Sequence, residues 1–286
     1  VIRGIGLYTP TDVTPLGDAG SWEEPGDTQP EALLRDLRAR SGSGAADFVW
    51  VGMFEPTKDE LDMVTRVFEI SPLQIEDAAN PDQRPKFEIG ATGHGLAVVK
   101  VLDYLESSSD VLTGQIAVFV GPDFALTIRY GQTADVRDIR ERLEQDPALR
   151  AQGPVSVLYA VLDKVVDGYL TVTSELTVDV EAMETEIFAQ NPSVRSTNSI
   201  YRLKRENVEI RRAVQPLMGW AHEAVAEQLD WVPTALRPYF RDIGDHLLRS
   251  LDATESMDSL LLAMLMASTS LQDLQQNRDM RKISAW

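Results

Sequence analysis

Along the last third of the chain, apolar positions return every three or four residues: Phe240, Ile243, Leu247, Leu251, then Met257, Leu261, Met264 or Leu265, Leu271 and Leu274. That spacing lays them on one helical stripe, with Asp242, Asp245, Arg249 and Asp252 on the opposite one. Residues 239–286 hold no proline and one glycine, Gly244. The pattern predicts a helix of about fifty residues, about 75 Å long at the usual rise per residue. Such a length exceeds the ordinary globular range and points to a coiled coil, a repeat or a membrane protein. A second stripe begins after Pro154 with Val155, Leu158, Leu162, Val165, Tyr169, Val172, Leu176, Val180, Met183 and Ile187, and Asn191-Pro192 ends it. A helix over 198–227 lies between them and passes Pro216, which should kink it.

The first half reads differently. Residues 1–8, 47–54, 86–89, 95–105, 114–120 and 124–130 are short runs rich in β-branched and aromatic residues, the mark of strands. Residues 9–29 read as a loop without periodicity, and a short helix over 30–40 is ended by Ser41-Gly42-Ser43-Gly44. Thr57 with Glu60, and Ser71 with Gln74 after which Pro72 takes the first helical position, form two capping boxes that open short helices. The second carries Glu76 and Asp77 and stops at Asn80-Pro81. A further helix covers about 134–144. Eleven of the fifteen prolines lie at or before Pro154, which marks a boundary between two parts. The fold class expected is α+β or α/β: residues 1–152 an α/β domain with a mixed central sheet flanked by helices, and residues 153–286 a long-helix bundle ending in a very long stalk helix.

Charge narrows the function. Forty-five acidic against 27 basic residues give a formal charge of -18, a surface that repels nucleic acid and attracts cations. With no cysteine and only His94, His222 and His246, thiolate metal sites and cysteine nucleophiles are excluded. No uninterrupted apolar run reaches the ~18 residues of a membrane helix. The residues that carry chemistry are carboxylates: Glu76 and Asp77, the pair Asp163 and Asp167 on one helix face, and the Asp242 stripe. Oxygen-only donors of this kind suit hard cations such as Mg2+, Ca2+ or Mn2+. Carboxylates on helix faces are more often just solvated, and Asp163, set in an apolar run, would be equally satisfied by Lys164 or a distant arginine. His246 beside Asp245 lacks the further histidines of an HD-type hydrolase. Gly90 to Gly95 precede a strand rather than a helix, which fits a hairpin turn and not a phosphate cradle. No nucleophile elbow or Ser/His/Asp arrangement is present, and nothing argues for an enzyme.

Several blocks together resemble the CorA family of magnesium transporters. They are Pro72–Ala78 (PLQIEDA) with Gln83–Glu88 (QRPKFE), LYAVLDKVVD at 158–167, YRLKR at 201–205, RRAVQPL at 211–217, YFRDIGDH at 239–246 and QNRDMRKISAW at 276–286. The resemblance runs from about residue 47 to 286. It implies the cytoplasmic domain of a homopentameric channel at the inner face of the cell membrane. The last helix would run on into the bilayer, so that the sequence ends at the start of the first transmembrane helix. Regulatory Mg2+ would sit between subunits, Asp77 of one facing Asp242 of the next, with Glu76 and Asp163 in a second site. Asn277 and Met280 would lie at the pore mouth. The transported ion would be Mg2+, with Co2+ or Ni2+ as further cargo. Three alternatives stand beside this reading: a ZntB-type zinc transporter, an acidic helical scaffold with no transport role, and a metal hydrolase that brings Glu76, Asp163 and Asp242 together in one subunit.

Overall fold

The computed structural model describes residues 1–18, 30–41, 46–133, 136–188, 194–226, 229 and 231–284. Seven strands form one mixed sheet: β1 (Ile2–Tyr8), β2 (Val13–Asp18), β3 (Phe48–Phe54), β4 (Lys86–Ile89), β5 (Gly95–Leu105), β6 (Asp110–Val120) and β7 (Phe124–Tyr130). Their order is β2-β1-β3-β7-β6-β5-β4, and β3 pairs with β7 in parallel while the other pairs are antiparallel. Strand β2 corrects the expectation of a loop over 9–29. Its Val-Thr-Pro-Leu-Gly-Asp run has neither alternation nor β-branched density, and it forms by adding to the free edge of β1. Residues 19–29 lie outside the described residues, as do the expected helix stops at Gly42-Ser43-Gly44 and Asn191-Pro192.

Both faces of the sheet are covered, so its strands alternate between two cores rather than between core and water. In β3, Phe48 and Trp50 enter one cluster while Val49, Val51 and Met53 enter the other; in β6, Ile116 and Val118 oppose Ala117 and Phe119 in the same way. The second cluster is closed by α1 (Pro30–Ser41), α2 (Lys58–Phe68) and α3 (Pro72–Ala79). The first is closed by α4 (Arg137–Gln145), α5 (Pro147–Arg150) and α6 (Val155–Phe188). The capping box of Thr57 and Glu60 forms on α2 as the sequence predicts. At α3 it does not: Ser71 makes no side-chain cap, and Gln74 is buried, its amide reaching the His94 carbonyl at 3.5 Å. The same four-residue spacing thus serves a cap where the side chain is wet and a core contact where it is not. Gly90 to His94 make the expected β4–β5 turn, with Gly93 at φ +80° and Gly90 N–H donating to His94 O at 2.8 Å.

Helix α6 lies across the sheet and continues into the bundle, with Tyr169 Oη donating to the Lys100 carbonyl of β5. Next come α7 (Val194–Val214), one turn of 3-10 helix (Gln215–Leu217), α8 (Met218–Val225) and α9 (Arg237–Ser284). Pro216 therefore lies in a single tightened turn between α7 and α8. Helix α9 spans 48 residues. Phe240, Ile243, Leu247, Met257, Leu261 and Met264 are buried, whereas Leu274, expected on the same stripe, is 55% exposed. The cover ends near Ser268, where Thr197 of α7 meets the Ser268 hydroxyl at 2.9 Å and takes a bond from Gln272 at 3.0 Å. Gly244 sits at a close crossing: a Cβ there would lie 2.8 Å from the Ala221 carbonyl oxygen of α8.

Candidate metal centre

The predicted carboxylates fall into three groups. In the first, α3 turns Asp77 toward the chain that leaves it. Lys86 Nζ donates to Asp77 Oδ2 at 2.5 Å and to Glu88 Oε2 at 2.8 Å, and Gln83 Nε2 donates to Asp77 Oδ1 at 2.5 Å. Lys86 and Glu88 share a face of β4 because a strand repeats every two residues. Burial works against the Lys86 ammonium, but its hydrogen bonds to Asp77 and Glu88 outweigh it and hold the pKa above the ordinary lysine value. The carboxyl groups of Asp77 and Glu88 remain about a third exposed, and Glu76 is exposed beside them. The donors are all oxygen, which fits a hard divalent cation. The lysine ammonium stands where such a cation would find two of them.

In the second group, His246 lies between two helices, its Nδ1 at 3.2 Å from Asp167 of α6 and its Nε2 at 3.8 Å from Asp242 of α9. Asp242 is 66% exposed, and Asp245 and Asp252 are exposed on the same face. The third group belongs to Asp163, which accepts a 2.6 Å bond from Arg142 of α4; that guanidinium also donates to Tyr159 Oη at 3.1 Å. Asp163 is thus satisfied by a distant arginine. Among the described residues, no set of three or more histidine, aspartate and glutamate side chains converges to hold a metal. Glu76, Asp163 and Asp242 do not make a single-subunit hydrolase site. Asn277 and Met280 are exposed near the end of α9.

The sequence did not give roles to Lys86, Gln83 or Arg142, and it did not pair Asp167 with His246. The first two stand in the QRPK tract nine residues or fewer from Asp77, so proximity was a usable signal. Arg142 pairs across elements and had none. A row of rings joins the first two groups: Phe87, on the other face of β4 from Lys86, has its ring 5.1 Å from Trp231 and 5.6 Å from Trp220, and both tryptophans lie 6.0 Å from Phe240 of α9. The edge strand that carries the lysine is therefore packed, through aromatic contacts, onto the helix that carries Asp242.

Residues 45–286 match the family model of CorA-like Mg2+ transporter proteins, which is most of the chain. The chain belongs to the CorA family. It is 26% identical over 209 residues to the cobalt/magnesium transport protein CorA of Thermotoga maritima, an alignment covering 71% of this chain and 59% of that relative. It thus spans about three fifths of that CorA protein's length. Its fold is that of the soluble domain of CorA from Methanocaldococcus jannaschii, with a TM-score of 0.71 at 16% identity over 94% of this chain and 98% of the other. The ZntB cytoplasmic domain of Vibrio parahaemolyticus is similar as well, with a TM-score of 0.60 at 12% identity over 98% and 99% of the two chains. At these identities the likeness is one of fold, so the architecture does not separate the two kinds of transporter. No helix among the described residues is long and apolar enough to cross a membrane.

Proposed function

We propose that this CorA-family chain is the cytoplasmic, ion-sensing domain of a divalent cation transporter whose cargo is Mg2+, with Co2+ or Ni2+ as further cargo. It works as a homopentamer at the inner face of the cell membrane. Mg2+ held between Asp77 of one subunit and Asp242 of the next stabilises a symmetric closed state, with Glu76 and Asp163 contributing to a second site. Loss of the ion lets the subunits splay and shifts the population toward open forms. Asn277 and Met280 then belong to the approach to the pore.

The observation that carries this reading is the exposed carboxylate face of α9, with Asp242 two-thirds exposed on a helix whose other face is buried. Carboxylates about 4 Å apart repel by ~4 kcal/mol at an effective dielectric near 20, and a divalent ion between them reverses the sign. In this chain Asp77 has an internal competitor in Lys86, and Asp163 has one in Arg142. Ion binding therefore exchanges a lysine for a metal at the first site, which weakens affinity and suits a sensor that must release its ion when the concentration falls.

Thermal melting and light-scattering mass of the chain, with and without millimolar MgCl2, test the proposal on wild type and on Asp77→Ala with Asp242→Ala. Mg2+ should raise the wild-type melting temperature or favour larger assemblies, and the double variant should lose that response. Equal Mg2+ responses in the two proteins would overturn the proposed sites. A response to Zn2+ alone would favour the ZntB reading, and no response to either ion the acidic scaffold.

A further inference from the structure

A cavity of about 720 Å3 lies away from Asp242, between the β5–β6–β7 end of the sheet and the turn where α7 passes into 3-10 helix. That is within the range of small-molecule sites. Its lining is basic in a chain of charge -18: Arg84, Lys100, Arg211 and Arg212 against Asp82 and Glu209. Four cations and two carboxylates leave a local excess of two positive charges.

The pairing inside the cavity sharpens this. Arg212 bonds Glu209 at 2.8 Å, but Arg211 bonds the neutral side chain of Gln215 at 3.2 Å. Lys100 is half-buried and gives its protons to two neutral acceptors, the Pro81 carbonyl at 2.7 Å and Gln115 Oε1 at 2.9 Å. An ammonium has three donors, so one remains for a ligand. Burial depresses the Lys100 pKa, and the nearest carboxylates, Asp82 and Glu209, only partly offset it. Gln115 is fully buried and tied through its amide to Asn80 O at 2.8 Å, so the lysine's acceptor is held in place. Gly114 and Gly131 put no side chains on the floor. A Cβ on Gly131, which has φ +85°, would lie 3.2 Å from Gly114 Cα. Pro81, Pro85 and Pro216 stiffen the rim, and a preformed wall lowers the ordering cost of binding.

We infer that this cleft is a binding site for a polyphosphate group, free or carried on a nucleotide, held by Lys100, Arg84, Arg211 and Arg212. Guanidinium forks match phosphate oxygens in pairs, and two unneutralised charges call for a ligand of more than one negative charge. The half-buried Tyr130 ring in the lining offers a surface for a base. Repulsion from the acidic remainder of the molecule is screened beyond a Debye length of about 8 Å at physiological salt, so the local cations decide. The site does not depend on the ion-sensing reading. It touches it at one point: Gln83 lines the cleft and also donates to Asp77.

Calorimetric titration of the 286-residue chain with inorganic pyrophosphate and with ATP, without divalent ions and at fixed ionic strength, tests the assignment. Saturable binding of at least one is expected, weakened roughly tenfold or more by Lys100→Met and severalfold by Arg211→Gln, with adenosine silent. Pyrophosphate at least as tight as ATP assigns the free polyphosphate; tighter ATP assigns the nucleotide. If Lys100→Met fails to fold by circular dichroism, the surface variants Arg84→Gln and Arg211→Gln carry the comparison. No saturable binding of either ligand, binding unchanged in the variants, or binding of adenosine alone would overturn it. Because no Mg2+ is present, failure here is distinct from failure of the ion site.

Discussion

Replacing Lys86 by methionine keeps most of the side-chain volume and removes one ammonium from between two carboxylates. In the native chain that ammonium makes bonds of 2.5 and 2.8 Å to Asp77 and Glu88. Charge-assisted bonds contribute up to about 1.5–3 kcal/mol when shielded, and exposed pairs about 0.2–1. Here the lysine is a quarter exposed and its partners about a third, which argues for the lower half of that range. The variant also leaves two carboxylate oxygens that, at 2.5 and 2.8 Å from one nitrogen, lie within about 5 Å of each other, a repulsion of at least roughly 1 kcal/mol in water and 3 at a dielectric near 20. Lys86→Met should therefore cost about 2 kcal/mol in metal-free buffer. For a chain of this size that lowers the melting temperature by about 4 °C. The assay is scanning calorimetry of wild type, Lys86→Met, Asp77→Asn and the double variant, in EDTA and in millimolar MgCl2. Without metal the two substitutions should be non-additive, since Asp77→Asn relieves the repulsion that Lys86→Met creates. With Mg2+ the lysine variant should gain more than wild type, because its oxygens no longer have an internal cation. Strict additivity, with no extra gain from Mg2+, would refute the view that the ammonium holds a cation's place.

Two glycines in packed helices should respond with opposite signs. Gly244→Ala meets the Ala221 carbonyl at 2.8 Å, which cannot swing away; overpacking of about 1–3 kcal/mol outweighs a helix-propensity gain of about 1, and the protein melts lower. Gly219→Ala in α8 has nothing within 4 Å and should melt slightly higher; shifts of the same sign in calorimetry would contradict the crossing described. Burial opposes the charge on Glu60, but the Thr57 N–H bond and the Val1 ammonium prevail and hold its pKa below the ordinary carboxyl value. Its contribution is present above the unfolded pKa near 4.3 and fades as pH falls through the lower folded value. Chemical denaturation should show Glu60→Gln costing about 1 kcal/mol at neutral pH, with the gap to wild type narrowing below pH ~4.

Much of this molecule could be read along the chain. Runs of β-branched and aromatic residues marked β1 and β3 to β7, the Thr57 box marked α2, the stripes marked α6 and α9, and the IEDA and QRPK tracts marked the family, because each of these signals is local. Strand β2 could not be read, since its run has no pattern of its own and forms by pairing with an existing edge. Ser71 and Gln74 had the cap spacing, and burial of Gln74 decided otherwise. Asp163 and Asp77 were recognisable as unusual carboxylates, but which cation answers each depended on α4 packing on α6 and on β4 returning past α3. The cleft of Arg84, Lys100, Arg211 and Arg212 joins residues from three separate stretches, so no window of sequence contains it. Composition and periodicity determined the elements, the acidic surface and the long helix. Pairing of charges is a matter of a few ångströms between distant segments, and only the tertiary structure sets those distances.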